Sequence, residues 1–182
     1  NSELFAPAVD VYLRVLEGEG PELGRLVRSA KILSARNAND QSKRLLSAVQ
    51  ATIGDDGADP ELKKEVLRLS ARIALAEGDG DLESRILKQI VDLDPLDGDA
   101  LLLLGRHAVR TSNDAQAIFY FERALAIDAS EADANLELGK LLSAQGKYAE
   151  ALPKLRRAQQ INPREPVQRF LEQIEKRAGR GG

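Results

Sequence analysis

The chain has 182 residues and a formal net charge of −3, too mild a balance to favour nucleic acid or a membrane surface as a partner. It has no Cys, which excludes disulfides, thiolate metal sites and a thiol nucleophile and leaves cytoplasm and periplasm equally open. Hydrophobic residues make up 43% but aromatics only 4%, so the interior must be built from Leu, Ala, Ile and Val, which suits packed helices better than a β-sandwich.

The longest apolar run, residues 100–104, is far short of the ~20 residues that span a bilayer, so no direct membrane insertion is expected. The chain begins at Asn1 without a secretory signal and contains no Met, so it is expected to be a fragment or processed form of a longer protein.

In chain order, three stretches of helical periodicity come first. Phe5, Val9, Tyr12, Leu13 and Leu16 form one stripe. Leu23, Leu26, Val27, Ala30 and Leu33 form a second after Pro21, a residue that suits a first helical turn. The third, residues 39–53, places Leu45, Leu46 and Val49 on one face. Residues 1–59 therefore read as N-terminal helices, either divergent repeats or a cap. They end in the loop from Gly54 to Pro60.

A period of 34 residues then takes over. Leu101, Leu104, Gly105, Ala108, Ala117, Phe121, Ala124 and Ala129 each have a counterpart 34 positions later: Asn135, Leu138, Gly139, Leu142, Ala151, Leu155, Ala158 and Pro163. The small residues Gly105 and Gly139 allow a second helix to approach, Ala117 and Ala151 do so from the other side, and Phe121 and Leu155 fill the remaining space. Pro163 ends a helix because it lacks the N–H that would continue one. One period upstream the pattern weakens to Leu67, Ala71, Ala74, Leu87, Ile90 and Pro95, with Glu83 where a small residue belongs.

This pattern resembles the tetratricopeptide repeat, with Leu-Gly in the first helix, then Ala and a large residue, then Ala and Pro. The resemblance implies an all-α, right-handed α-solenoid of antiparallel helix pairs. Residues 60–163 would hold three repeats, 64–97 (degenerate), 98–131 and 132–165. Residues 164–182 would be a capping helix, with Val167, Phe170, Leu171 and Ile174 facing the array, and a frayed tail. The short Arg-Gly run of that tail gives little support to nucleic-acid binding, and no nucleic-acid partner is expected. Helix starts are expected at the capping boxes Ser130 to Asp133 and Asn113 to Gln116.

Candidate chemistry is sparse. Gly18, Gly20 and Gly24 imitate a dinucleotide fingerprint, but the last gap is one residue too long and no strand precedes it. Asp92, Asp94, Asp97 and Asp99 suggest a calcium loop, but its sixth place holds Asp97 instead of Gly and its twelfth Leu103 instead of Glu. They read as acids around a helix start. His107 is the lone histidine and has no second ligand or triad partner, so no metal, cofactor or catalytic residue is expected.

In the tetratricopeptide family the first helix of each repeat lines a groove that receives peptides. Carried onto this chain, the resemblance implies a groove of Arg68, Arg72 and Leu75, then Leu102, Arg106 and Val109, then Leu136, Lys140 and Ser143, with Arg110 one turn beyond Arg106. Arg72, Arg106 and Lys140 share one repeat position, a cation ladder that suits an acidic peptide. Glu65, Asp99 and Asp133 form a parallel acidic ladder that could neutralise it.

The family's chaperone-tail receptors clamp a terminal carboxylate with Lys, Asn, Asn, Lys and Arg. Here Arg68 could stand for the first cation, but Arg72 replaces the first Asn, Leu103 the second, and Asp133 and Glu137 the last two cations. That departure argues against such a receptor. The expected function is a protein-interaction scaffold, the high Ala, Leu and Arg content only weakly suiting a bacterial source. The rival is a self-assembly element of a larger protein, forming homo-oligomers beside a catalytic domain elsewhere.

Overall fold

The computed structural model describes residues 6–15, 23–53 and 59–179, and over them the chain is all-α. Its helices are α1 (Ala6–Val15), α2 (Leu23–Ala35), α3 (Asn39–Ile53), α4 (Pro60–Ala76), α5 (Gly80–Leu93), α6 (Gly98–Arg110), α7 (Asp114–Leu125), α8 (Asp128–Ala144), α9 (Tyr148–Ile161) and α10 (Glu165–Ala178). Phe5, Leu16, the glycines at 18 and 20, Pro21, residues 54–58 of the expected loop and residues 180–182 of the tail lie outside the described residues, as does the Tyr12 side chain.

The helices form two compact units, residues 1–93 and residues 94–182. In the first, α2 pairs with α3 and α4 with α5, α2 and α3 both pack on α4, and α1 lies on α3. In the second, α6 pairs with α7 and α8 with α9, α6 and α7 both pack on α8, and α10 covers α9.

Four hairpins share one corner. The N–H groups of Ala38, Asp79, Asn113 and Lys147 donate to the carbonyls of Leu33, Ala74, Ala108 and Leu142 at 2.9, 2.9, 2.8 and 2.9 Å. The residue before each donor is left-handed: Asn37, Gly78, Ser112 and Gly146, with φ of 59°, 78°, 57° and 75°. This is the Schellman closure of a helix C-terminus, which satisfies carbonyls the helix itself leaves open.

The last three corners are 34 residues apart, but the first two are 41 apart. The α2/α3 hairpin is therefore built like the others and displaced in sequence by seven residues. A fixed period of 34 cannot register it, which is why the pattern fades upstream of residue 60.

Once the shift is allowed, the core positions align. Ala30, Ala71, Gly105 and Gly139 are buried on the first helices, opposite Leu46, Leu87, Phe121 and Leu155 on the second. A Cβ on Gly105 would overlap the Phe121 ring, and one on Gly139 would come within 2.5 Å of Leu155 Cδ2. Ser42, Glu83, Ala117 and Ala151 hold the other small position, all buried. Ser42 fits because its hydroxyl donates to Ala30 O at 2.8 Å.

Both ends of the repeat frame are tied down. Asn113 caps α7 as expected, its Oδ1 accepting from Gln116 N–H at 3.2 Å. Ser130 does not cap α8, which starts at Asp128 after Ile127. Its side chain is buried where Gly98 of α6 leaves room, and that close approach takes it away from the helix end. Val167, Leu171 and Ile174 of α10 share one cluster with Leu136, Leu155 and Ala158, covering the apolar side of α9.

Gly105→Ala is expected to cost about 1–3 kcal/mol through overlap with Phe121, and the added Phe121→Leu change to restore part of it. Ser112→Gly should raise stability by about 1 kcal/mol by removing a left-handed β-carbon, and Gly146→Ala should lower it by a similar amount. Urea midpoints of the variants measure each effect.

Candidate functional site

The corner frame defines which side chains are equivalent. Six positions before each left-handed residue stand Lys31, Arg72, Arg106 and Lys140. The ladder of three expected from the sequence thus has a fourth member, hidden by the seven-residue shift. A cation stands at this place in each of the four hairpins among the described residues.

In the second unit two of these cations share one carboxylate. Glu137 on α8, its side chain 15% exposed, accepts from Arg106 Nε at 3.0 Å, and its Oε1 lies 3.0 Å from Arg106 Nη2. The same oxygen lies 3.3 Å from Lys140 Nζ. The neutralising acid is therefore Glu137, not the expected ladder member Asp133, which instead pairs with Arg164 at 2.7 Å. Three further residues expected in the groove are buried: Leu102, Leu136 and Ser143. Ser143 faces its own helix, donating to Gly139 O at 2.6 Å. Leu102 and Leu136 take core positions because an apolar side chain at this place has more to gain from packing than from water. Val109 and Arg110 remain exposed.

In the first unit Arg68, Arg72 and Leu75 are all exposed. Arg68 and Arg72 line a cleft of about 550 Å³ between α2 and α4, together with Lys31. Among the described residues neither Lys31 nor Arg72 has a carboxylate partner. The reason is local. Where the second unit places Glu137 relative to Arg106, the first unit places Leu69 relative to Lys31, once the seven-residue shift is counted. The cleft also contains Leu62 and Leu69 on its wall and Asp59, Glu61 and Glu65 toward the start of α4.

A second cleft of about 450 Å³ opens on the other side of α4, where Val66 and Leu67 form an apolar floor with Ile53 and Leu93. Gln50, Gln89, Lys63 and Asp92 rim it. The two clefts use residues of α4 that project from opposite faces of the helix.

The remaining candidates have structural surroundings. Asp97 caps α6, its Oδ1 accepting from Ala100 N–H at 3.0 Å, and Asp94 Oδ1 accepts from Leu96 N–H at 3.1 Å. His107 is half-buried on α6. Among the described residues no group of three or more His, Cys, Asp and Glu is placed to hold a metal ion, and no helix is long and apolar enough to cross a membrane.

Comparison with known proteins agrees with this geometry. Two family models, both described as tetratricopeptide repeat, match residues 68–132 and 112–174. No curated protein matches the sequence. Among solved structures, MamA superposes with a TM-score of 0.69 at 20% identity, covering 88% of this chain and 85% of its own. YrrB, described as a TPR protein with an unusual peptide-binding site, superposes with a TM-score of 0.66 at 15% identity, covering 94% and 88%. A mutant O-GlcNAc transferase of Thermobaculum terrenum matches 59% of this chain over 21% of its own, at 26% identity and a TM-score of 0.54. These likenesses place the fold among all-α helical repeat solenoids.

The contrast between the units can be measured. Glu137→Gln is expected to lower stability by about 0.5–1 kcal/mol, since it leaves two cations facing each other across α6 and α8. Lys31→Gln, with no ion pair to lose, should change it by less than about 0.5 kcal/mol. Thermal melts of the two variants against wild type give the comparison.

Proposed function

The chain belongs to the tetratricopeptide repeat family, a family of protein–protein interaction scaffolds, and from that premise we propose that it works by binding a partner segment in the α2–α4 cleft rather than by chemistry. One observation carries the reading: Lys31 and Arg72 line one cleft without a carboxylate partner among the described residues. An exposed cation pair with no carboxylate within ion-pair distance is a receptor for an acid supplied from outside. The Arg72 guanidinium can grip a carboxylate through two parallel N–H donors, and the Lys31 ammonium adds a point charge. The partner segment is therefore acidic at the place where it meets these residues.

Peptide binding by a protein of this fold has a structural neighbour in YrrB, whose description names a peptide-binding site. Affinity in such a cleft comes from a few residues, the rest supplying shape. Arg106 and Lys140 hold the same repeat position but already share Glu137, so they attract a second acid less strongly.

A second reading, self-association, draws support from an apolar patch on the second unit. Leu96 is 73% exposed and Phe119 54%, while Arg123 stacks over the Phe119 ring at 5.8 Å and donates to Pro95 O at 3.3 Å.

Against an acidic peptide selected by display on the wild-type protein, Arg72→Glu and Lys31→Glu should each weaken affinity about tenfold or more, the loss expected when a repulsive charge replaces an attractive one. Arg106→Glu should weaken it less, and helicity should stay unchanged in all three. Equal affinity of Arg72→Glu and wild type in a polarisation titration removes the reading. Light scattering after size exclusion should show a monomer at all concentrations, and a stable dimer would favour self-association instead.

A further inference from the structure

The charges of the α2–α4 cleft are sorted along the helix. Asp59, Glu61 and Glu65 stand at the start of α4, and Arg68 and Arg72 stand at its later turns. Lys31 holds on α2 the repeat position that Arg72 holds on α4, and it joins the lining. Leu62 is half-buried beside the charged row, and Leu69, which also borders the cleft, is buried in the core beneath it. With a rise of 1.5 Å per residue, Glu61 and Arg72 are about 16 Å apart along the axis.

The acidic end is only partly engaged by the protein itself. Asp59 Oδ1 accepts from Glu61 N–H at 3.0 Å, and Glu61 Oε1 lies 2.8 Å from Lys64 Nζ. Glu65 has no partner among the described residues. The cleft thus offers a free carboxylate nearer one end and a free cation pair nearer the other.

We infer that the occupant is a short segment with mixed charge, acidic at one end and basic at the other, an assignment that rests on the peptide-binding reading above. An extended chain covers about 16 Å in roughly five residues. A segment of that length reaches from the acidic end of the cleft to its cation pair. A uniformly acidic segment would bring carboxylates onto Glu61 and Glu65, where like charges oppose each other and cost affinity.

Two fluorescein-labelled peptides test this. Both carry two leucines among four central residues; one has lysine and glutamate at opposite ends, the other glutamate at both. Polarisation titrations at low salt would compare wild type, Glu65→Lys and Arg72→Glu, with thermal melts confirming that the variants fold. The mixed peptide is expected to bind wild type roughly three- to fivefold tighter, the worth of one exposed ion pair, and Glu65→Lys should reverse the order. Equal affinities on wild type, or an order that survives Glu65→Lys, overturn the mixed-charge assignment and leave the peptide site standing. Failure of both peptides to bind, or indifference of both to Arg72→Glu, overturns the peptide site itself.

Discussion

Paired helices in this protein approach so closely at one repeat position that a side chain barely fits, and the rest of the architecture follows from that contact. Ala30 and Ala71 fill the place with a methyl group, while Gly105 and Gly139 leave it empty for Phe121 and Leu155. A buried side chain of this size carries roughly 1.5–3 kcal/mol of apolar stabilisation, and it is realised only if the opposing helix gives way. The small residue and its large partner are thus one device, read in two halves from two helices.

That contact also fixes where the functional side chains stand. Once the helices are locked at the small position, the corner that follows must close within a set number of residues, and the Schellman bonds hold it there. The cation six positions before the corner then occupies the same place in every hairpin. What differs is its neighbour: Glu137 for Arg106 and Lys140, Leu69 for Lys31. A ladder of identical charge is therefore not a surface of identical chemistry. Exposed pairs gain little from their mutual attraction, but a pair already formed is a poor receptor, and an unpaired cation is a good one.

Much of the fold was legible from residue types. The Gly105 and Phe121 pairing, the Gly139 and Leu155 pairing, the Asn113 cap and the apolar face of α10 all follow from local spacing, because each depends on residues within one or two helices. The first hairpin was legible only in part. Its periodicity showed, but the extra residues before α4 moved it out of a fixed 34-residue register, and Lys31 could not be matched to Arg72 until the left-handed corner at Asn37 was seen. Ser130 looked like a helix cap because its type and its distance from Asp133 are right; its hydroxyl sits against Gly98 instead, a neighbour more than thirty residues away.

The amino-acid sequence by itself determined the helices, the repeat and the family, since these rest on periodicity, small-residue spacing and proline placement, all properties of neighbours along the chain. The tertiary structure alone decided which cations are available. Whether Arg106 faces water or Glu137, and whether Leu102 and Leu136 point outward or into the core, depends on side chains brought together from different helices. Coulomb attraction and burial act through space over a few ångströms, and no spacing along the chain encodes that distance.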